Sequence, residues 1–241
     1  MEILKRDVSG AGRTLVIMAK APRAGMVKTR LAESLPLDAA TDLYRCLLSD
    51  TIALARSLAE VEVAIMCPEG DIAELTDLAG EGVHVVGQRG PVLAAGLDSV
   101  FAYFAAVGRQ RVIAFNSDSP HLSPSVLENA FETLITHDLV VGPTDDGGYY
   151  LVGATRSHAG LFDGDRMGTS TALEALVARA RGMHLSMLLT DVFYDIDLPA
   201  DLVRLAAELQ SSGERAPRTA AWILEWKRAV SEKQLRFGGV T

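Results

Sequence analysis

Cysteine is scarce in this sequence and long apolar runs are missing, and each absence excludes a class of protein. The two cysteines, Cys46 and Cys67, do not form a C-x-x-C pair, so no metal or redox motif is indicated and reduced thiols of a cytoplasmic protein are expected. The longest apolar runs, such as residues 14–19, are too short to cross a bilayer. A Lys-Arg pair lies near the first residue, but no apolar segment follows it, so a secretory signal is not predicted.

The glycine-rich phosphate motifs are missing as well. Neither G-x-x-x-x-G-K-[ST] nor G-x-G-x-x-G occurs, which excludes a P-loop and a dinucleotide fingerprint. A formal net charge of −8 argues against a nucleic-acid partner, because nucleic-acid binders usually carry the opposite sign. A local cluster of basic residues in such an acidic chain therefore indicates a site for a small anion.

The sequence does contain an alternation of strand and helix patterns. Hydrophobic residues make up 49% of the 241 residues, which is enough for a globular core. Continuous apolar runs predict buried strands, and helical spacing predicts helices between them, the first with Asp38 as its N-cap. The predicted strands are 15–19, 61–66, 83–86, 111–115, 139–141, 149–152, 184–188 and 192–194, and the predicted helices are 38–58, 71–79, 91–107, 123–135, 169–181, 199–210 and 220–235. This order predicts an α/β fold with a Rossmann-like, doubly wound and mostly parallel sheet.

The same patterns predict the domain organisation. Residues 1–13 form an N-terminal extension, residues 14–212 form the α/β domain, and residues 213–241 form a C-terminal helical appendage after a Ser-Ser-Gly linker. In open α/β sheets the ligand binds outside the carboxyl ends of the strands. The candidate site residues are therefore those that follow each strand.

A basic loop follows the first predicted strand. Lys20, Arg23, Lys28 and Arg30 lie within eleven positions, and Gly25 allows a turn between them. Phosphate recognition needs positive side chains and accessible backbone N–H groups, and Arg can hold a phosphate through two parallel bonds. A solvated basic loop would contain the same residues. The position directly after a buried strand favours the phosphate site.

An acidic residue, Asp118, follows the predicted strand that ends at Phe115. An Asp at a strand end, with Pro120 stopping further pairing, is well placed to hold a hard divalent cation. It could also open a turn or cap the helix that begins near Ser123. His121 is the histidine nearest to this candidate site, and we expect a surface or capping role for it.

The segment 142–151 is the most distinctive part of the chain. Two adjacent carboxylates, Asp145 and Asp146, cannot both be buried without a cation or hydrogen-bond donors. Gly147 and Gly148 allow a close approach of the backbone to a ligand. Because Asp-Gly is also a strong hairpin signal, we interpret this segment as a turn between two strands that also faces the site.

A further acidic pair, Asp195 and Asp197, precedes the last predicted helix of the α/β domain. Alternate residues of a strand share a face, so both carboxylates would point the same way. Asp197 could equally be the N-cap of the helix that begins at Pro199.

These motifs resemble those of a bacterial family of GT-A-type, nucleotide-diphospho-sugar transferase-like proteins, which are often labelled glycosyltransferases. The opening of that family is similar to the strings AKAPRAG at 19–25 and VKTRLA at 27–32. The Lys-x-Arg-Leu part also looks like the opening of the phospholactate guanylyltransferases, which belong to the same superfamily but transfer a nucleotidyl group. The resemblance extends from about residue 15 to residue 205.

Later strings add to the resemblance. NSDSP at 116–120 stands where the family usually has Gly-Thr-Asp-Ser-Pro, and in GT-A folds this Asp belongs to the metal- and nucleotide-binding motif. Pro143 and DGGYYL at 146–151 match the family's Pro-x-x-Asp-Gly-Gly-Tyr-Tyr-Leu pattern, which implies that the loop faces the acceptor. DIDLPADL at 195–202 resembles a closing motif in which a carboxylate can complete the metal site, with Leu198 in place of Thr. The segment GLD at 96–98 is nearer to the Gly-Leu-Asn of the guanylyltransferases.

The resemblance implies a transferase with a GT-A fold. The leading hypothesis is a metal-dependent glycosyltransferase with a nucleotide-diphospho-sugar donor, a small-molecule acceptor and Mg²⁺ or Mn²⁺ as cofactor. The expected roles are catalysis for Asp118 and Asp146; phosphate binding for Lys20, Arg23, Gly25, Lys28 and Arg30; the acceptor side for Asp145, Gly147, Gly148 and Tyr149; and metal binding for Asp118, Asp195 and Asp197. One alternative is a nucleotidyltransferase that joins an NTP to a phosphorylated acceptor, and another is a non-catalytic nucleotide-binding protein. Nothing in the sequence predicts an oligomeric state.

Overall fold

The computed structural model describes residues 12–164 and 169–237 and is built around a single sheet. Its strands are β1 (Arg13–Met18), β2 (Glu62–Cys67), β3 (His84–Gly87), β4 (Arg111–Asn116), β5 (Leu139–Pro143), β6 (Tyr149–Ala154) and β7 (Met187–Leu189). They lie in the order β3-β2-β1-β4-β6-β5-β7, and within the described residues only β6 runs antiparallel to its neighbours. The predicted mostly parallel sheet is confirmed.

Helices cover both faces of this sheet. They are α1 (Leu37–Arg56), α2 (Ile72–Ala79), α3 (Leu93–Ala106), α4 (Pro124–Thr133), α5 (Ala172–Gly182), α6 (Pro199–Ser212) and α7 (Pro217–Phe237), with a short 3-10 helix at Thr29–Glu33. One core packs α1, α2 and α4 against Leu15 and Ile17 of β1, and a second packs α3 and α5 against Val16. β1 is therefore buried on both sides, which explains its continuous apolar run and confirms the doubly wound, Rossmann-like fold. In the described ranges no helix is both long and apolar enough to cross a membrane.

A third cluster joins α6 and α7 to the outer side of α1. Asp50 of α1 is almost fully buried and accepts hydrogen bonds from the backbone N and the hydroxyl of Thr219, both at 2.8 Å. These donors lie in the first turn of α7, so a buried carboxylate binds the positive end of that helix. The division into residues 14–212 and a C-terminal appendage at 213–241 stays a prediction. Most of the predicted extension at 1–13 lies outside the described residues, and Arg13 already belongs to β1.

Several predicted element ends differ from the structure. Asp38 is not the N-cap of α1: the helix begins at Leu37, Pro36 occupies the cap position, and Asp38 lies in the first turn. Residues 192–194 do not form a strand, because Phe193 makes only an isolated bridge with Thr144. Helix α5 begins at Ala172 and α7 at Pro217, each three residues from the predicted start. Helix ends depend on caps and turns that hydrophobic spacing does not report.

Candidate active site

A cleft of about 500 Å³ lies where the carboxyl ends of β1 to β4 meet. Its lining combines apolar side chains near the ends of β1 and β2 with charged groups from the basic loop and from two acidic segments. The lining residues are Met18, Ala19, Lys20, Met26, Val27, Lys28, Thr29, Arg30, Tyr44, Met66, Pro68, Gln88, Pro91, Leu93, Ser117, Asp118 and Asp197. The cleft therefore joins the basic loop to the acidic residue at the end of β4, as expected for a ligand site in an open α/β sheet.

Lys28 is the best-buried charged group of this cleft. Its side chain is 3% exposed, and its ammonium contacts Asp118 and lies 3.0 Å from Oδ1 of Asp197. Burial alone would lower the pKa of Lys28, but the two facing carboxylates raise it above its ordinary value. The backbone at Lys28 is left-handed, with φ 47° and ψ 38°, where the basic loop turns into the 3-10 helix. Lys28 is therefore a charged ammonium bound between two carboxylates.

The other residues of the basic loop separate into two groups. Lys20 and Arg30 line the cleft, and Arg30 is 63% exposed, with its guanidinium 3.6 Å from Asp197. Arg23 does not line it: its guanidinium donates to Asp71 at 2.7 Å and to Glu74 at 3.0 Å, which ties the loop to α2. Gly25 also lies outside the cleft lining and serves a turn with φ 75°. The structure thus brings three of the four predicted cations together.

The acidic residues at the ends of β4 and of the segment before α6 come together at the same edge of the sheet. Asn116 donates to Oδ1 of Asp195 at 2.5 Å, and Ser117 donates to Oδ1 of Asp118 at 2.9 Å. Burial, followed by the charge of Asp118, raises the pKa of Asp195 to about 7. Asp195 and Asp118 therefore lie close enough to repel each other, although residues 195–197 are not in a strand.

Asp197 does not cap α6, in contrast to one of the two sequence interpretations. The cap is made by Asp201, whose Oδ2 accepts from the backbone N of Asp197 at 3.1 Å and of Leu198 at 2.6 Å. The carboxylate of Asp197 instead contacts Lys28 and lies near Arg30. Pairing with Lys28 therefore outweighs capping of α6 for the Asp197 carboxylate, because the Lys28 ammonium is buried and needs a partner of opposite charge.

The three predicted metal ligands, Asp118, Asp195 and Asp197, offer the hard oxygen donors that Mg²⁺ or Mn²⁺ prefers. Their arrangement does not form a metal site, because the Lys28 ammonium lies between Asp118 and Asp197. Across 12–164 and 169–237 no three acidic, histidine or cysteine side chains converge in a way that could hold a metal ion. The donor chemistry fits a divalent cation and the geometry does not.

The segment 144–148 forms the predicted turn between β5 and β6. None of its residues is among those that line the cleft, so its position on the acceptor side stays a prediction. Oδ1 of Asp146 accepts from the Thr144 hydroxyl at 2.6 Å and from the backbone N of Gly148 at 3.1 Å. Gly147 has φ 89°, and a Cβ on it would lie 2.0 Å from the carbonyl oxygen of Ser170, so only glycine fits. The charge of Asp146 is among those that raise the pKa of Asp195, which places the turn beside the acidic residues.

The remaining residues of the predicted acceptor side are held in different ways. Asp145 pairs with Arg204 of α6 at 2.8 Å. Tyr149 is half-buried against the core beneath α3 and α5, and burial raises the pKa of its hydroxyl. Arg204 also stacks over the ring of Tyr194, 3.6 Å from its centre. Helix α6 therefore stabilises the outer side of the turn.

His121 is neither on the surface nor a cap, and that expectation is wrong. Its side chain is 2% exposed and packs against Phe193 and Tyr194, with ring centres 4.7 and 4.8 Å apart. Burial, with the charges of Arg204 and Arg215, lowers the pKa of His121 to about 3. The imidazole is thus a neutral part of the aromatic layer under the turn, because the surrounding rings exclude the water that would solvate a charge.

Two functional contacts were missed at the level of sequence. Tyr44 of α1 fits the helical spacing of core residues, yet its hydroxyl accepts from the backbone N of Lys20 at 3.2 Å and lies 3.1 Å from the hydroxyl of Ser117. Asp71 was predicted only as the start of α2, yet it accepts from the backbone N of Ala21 and from Arg23. In the sequence, each of these contacts was indicated only by the presence of a polar group, which must find a hydrogen-bond partner when it is buried. The sequence did not indicate which residue that partner is.

Comparisons with known proteins agree with this fold. A family model described as "Uncharacterized protein conserved in bacteria (DUF2064)" matches residues 51–169, which include Asp118 and Asp146. The structure is similar to that of a proposed nucleotide-diphospho-sugar transferase from Desulfovibrio desulfuricans G20, with TM-score 0.84 and 27% identity over 92% of this chain and 97% of that chain. The resemblance to bacterial nucleotide-diphospho-sugar transferase-like proteins is confirmed.

More distant structures share the fold alone. The inositol-1-phosphate CTP transferase of T. maritima has TM-score 0.57 and 17% identity, over 84% of this chain and 96% of that chain. The 4-diphosphocytidyl-2C-methyl-D-erythritol synthase of Anaerococcus prevotii DSM 20548 has TM-score 0.54 and 12% identity, over 83% and 97%. No curated protein matches the sequence. These two structures therefore support the fold and do not decide between reactions.

Proposed function

We propose that this protein is a glycosyltransferase that binds the diphosphate of a nucleotide-sugar in the cleft at the carboxyl edge of the sheet. The observation that carries the proposal is that Lys20, Lys28 and Arg30 line one cleft together with Asp118 at the end of β4. Likeness to the proposed sugar transferase from Desulfovibrio desulfuricans supports the same class of donor.

In this proposal the basic loop binds the leaving group. Glycosyl transfer releases a nucleoside diphosphate, so negative charge develops on its phosphate oxygens as the sugar leaves. Arg30 is exposed and can offer two parallel N–H groups to these oxygens, while Lys20 and Lys28 act as point charges. Fixed cations stabilise the developing negative charge better than mobile water does, because they are already oriented and need no reorganisation.

Asp146 is the proposed base on the acceptor side. Its side chain is exposed at the turn, and one oxygen is held by Thr144 and Gly148. A carboxylate fixed in this way can accept the proton of an acceptor hydroxyl as that oxygen attacks the sugar. The new bond forms between the acceptor oxygen and the anomeric carbon, and the bond to the diphosphate breaks.

Nucleotidyl transfer is the second candidate, and a specific contact favours it. Gly96, in the segment that resembles the guanylyltransferases, approaches the cleft residues Gln88 and Met18 so closely that a Cβ would lie 2.8 Å from the Gln88 amide oxygen. In that reaction a phosphorylated acceptor would attack an NTP and pyrophosphate would leave. The same basic loop would bind the pyrophosphate.

One experiment separates the two candidates and a purely binding function. The protein is incubated with a panel of NTPs and nucleotide-sugars, Mg²⁺ or Mn²⁺, and a mixed pool of sugars, hydroxy acids and their phosphates. Calorimetry measures binding first, and chromatography then measures release of nucleoside diphosphate or pyrophosphate. Nucleoside diphosphate from a nucleotide-sugar supports glycosyl transfer, and pyrophosphate from an NTP supports the second candidate. Tight binding without either product would assign a non-catalytic role.

A further inference from the structure

A groove of about 800 Å³ lies at the edge of the sheet opposite to the cleft. It is formed where β4 begins and β6 ends, beside the carboxyl ends of α3 and α4. β4 is six residues long, so the groove lies about 20 Å from Asp118, which follows the other end of that strand. The two cavities share no lining residue. The groove is therefore separate from the candidate active site.

Three arginines line this groove: Arg109, Arg111 and Arg156. Arg109 is neutralised by Glu62, because its Nε lies 2.6 Å from a carboxylate oxygen of that residue. Within 12–164 and 169–237, the side chains of Arg111 and Arg156 make no ion pair and no hydrogen bond. In that part of the chain, two guanidinium groups of the groove thus lack a partner of opposite charge.

An acidic side chain near Arg156 is engaged elsewhere. The Asp138 carboxylate accepts from the backbone N and the hydroxyl of Ser186, at 2.9 and 2.7 Å. These bonds, and after them the charge of Arg156, lower the pKa of Asp138. Asp138 therefore reduces the positive charge at one end of the groove while its oxygens stay bound to Ser186.

A further arginine adds to the positive charge at this edge. Arg13 of β1 pairs in register with Arg111, so the two side chains share a face of the sheet and their like charges repel. Nε of Arg13 is buried and has no hydrogen-bond partner among the described residues, and its guanidinium lies 3.8 Å from Glu132, which is 58% exposed. Composition does not explain this excess of cations, because the whole chain has a formal net charge of −8.

We propose that this groove is a second anion-binding site, and that it binds the phosphate monoester of a small organic molecule. Each guanidinium presents a planar fork that can hold two phosphate oxygens, and the two charges of a monoester match the two unpaired arginines, Arg111 and Arg156. An anion between them would also relieve the repulsion between Arg111 and Arg13. The inference goes beyond the proposed function, because it involves neither the cleft nor the donor.

The rest of the lining suits an ester better than a bare anion. Thr155 lies one residue beyond the last ladder pair of β4 and β6, Val112 with Ala154, so its hydroxyl is beside Arg111 and can donate to a phosphate oxygen. Leu134 and Ile135 line the same groove, and Ile135 is 61% exposed. These apolar side chains would pack against the organic part of the ligand.

The test uses phenyl phosphate, which joins a phosphate dianion to an apolar ring. Isotope-labelled protein is titrated, and NMR follows two backbone amides: that of Gly108, which lines the groove, and that of Thr29, which lines the cleft. Inorganic phosphate lacks the organic part, and succinate is a dianion without a phosphate. Reading the two amides separately keeps phosphate binding in the cleft, which belongs to the proposed function, apart from binding in the groove.

Four proteins are compared: the natural chain, Arg111→Met, Arg156→Met and Arg181→Met. Arg181→Met is the matched control, because it removes an exposed arginine of α5 that does not line the groove. At Gly108, Arg111→Met should weaken phenyl phosphate binding roughly tenfold to a hundredfold, the range of a lost charge-assisted contact. Arg156→Met should weaken it roughly threefold to tenfold, because that side chain is exposed, and Arg181→Met should stay within about twofold.

Three results would overturn the proposal. One is that phenyl phosphate shifts the amide of Thr29 and leaves that of Gly108 unchanged. Another is that Arg111→Met and Arg156→Met bind phenyl phosphate at Gly108 as tightly as Arg181→Met does. The third is that inorganic phosphate or succinate binds at Gly108 as tightly as phenyl phosphate. If Arg111→Met does not fold, the exposed Arg156→Met still decides against Arg181→Met.

Discussion

The basic loop that lines the cleft and the turn after β5, which lies outside the cleft lining, are built in different ways. The basic loop after β1 is held by residues that are distant in sequence: Lys28 by Asp118 and Asp197, and Arg23 by Asp71. In the turn after β5 the Asp146 carboxylate is held locally, by Thr144 and Gly148, and only the neighbouring Asp145 forms an ion pair with a distant side chain, Arg204. Ion pairs between distant residues can exchange partners when a charged ligand arrives, whereas a turn fixed by short local bonds keeps its shape. The difference suits a phosphate side that adapts and an acceptor side that stays rigid.

The largest expected effect comes from removing the charge of the rigid side without changing its shape. In Asp146→Asn the Oδ1 atom still accepts from Thr144 and Gly148, so the turn remains, but the base is lost. Turnover should fall by about 10²- to 10⁴-fold, which is the usual contribution of a general base. Nucleotide affinity measured by calorimetry should stay nearly constant. A loss of affinity as large as that of a basic-loop variant would show that the two sides are not separate.

The second effect tests how rigid the turn is. Gly147→Ala places a Cβ 2.0 Å from the carbonyl oxygen of Ser170 at a residue with φ 89°, so the free energy of unfolding should fall by about 3 kcal/mol. Gly25→Ala is the matched control in the basic loop, because φ is 75° but no atom lies within 4 Å of the added Cβ. It should lower the stability by only about 1 kcal/mol. Urea titrations compare the two, and equal losses would contradict the proposed difference.

The sequence predicted the location of both sides better than their internal contacts. Apolar runs such as 15–17 depend on burial alone, so they placed the strands, and the strand ends then placed Lys28, Asp118 and Asp146 at one edge. Two of the partners around the basic loop come from segments 50 and 169 residues away: Asp71 accepts from the backbone N of Ala21, and Asp197 accepts from Lys28. No local pattern reports such pairs. The burial of His121 was missed for the same reason, because Phe193 and Tyr194 are remote in sequence.

The third effect concerns the cations of the adaptable side. Arg30→Ala removes an exposed guanidinium that lines the cleft, and nucleotide affinity should fall roughly tenfold to a hundredfold. Arg23→Ala removes the same group from the same loop, but this guanidinium is bound to Asp71 and Glu74 outside the cleft, so affinity should change by less than about threefold. Calorimetry with one nucleotide measures both. If Arg23→Ala lost as much affinity as Arg30→Ala, the division within the basic loop would be wrong.

The fourth effect is a pH dependence of the rigid side. His121 has a pKa of about 3 in the folded chain and about 6.5 unfolded, so both states are neutral above pH 6.5. As the pH falls through 6.5, the unfolded chain takes up a proton that the folded chain does not, so stability is lost with a slope that approaches about 1.4 kcal/mol per pH unit. In His121→Phe, which keeps an aromatic ring against Phe193 and Tyr194, this part of the slope should disappear. Parallel slopes for the two proteins between pH 6.5 and 5.5 would show that the imidazole is not held neutral.

The smallest effect distinguishes the roles of two neighbouring carboxylates, Asp201 and Asp197. Asp201 caps α6 through the backbone N of Asp197 and Leu198, so Asp201→Ala should lower the free energy of unfolding by about 1 kcal/mol and leave nucleotide affinity unchanged. Asp197→Ala removes a partner of Lys28 and Arg30 instead, and it should alter phosphate binding while the α6 cap persists. If the assignment is right, urea titration shows a loss of stability mainly for Asp201→Ala, and calorimetry shows a change in phosphate binding only for Asp197→Ala. A larger stability loss for Asp197→Ala than for Asp201→Ala would return Asp197 to the role of helix cap and remove it from the adaptable side.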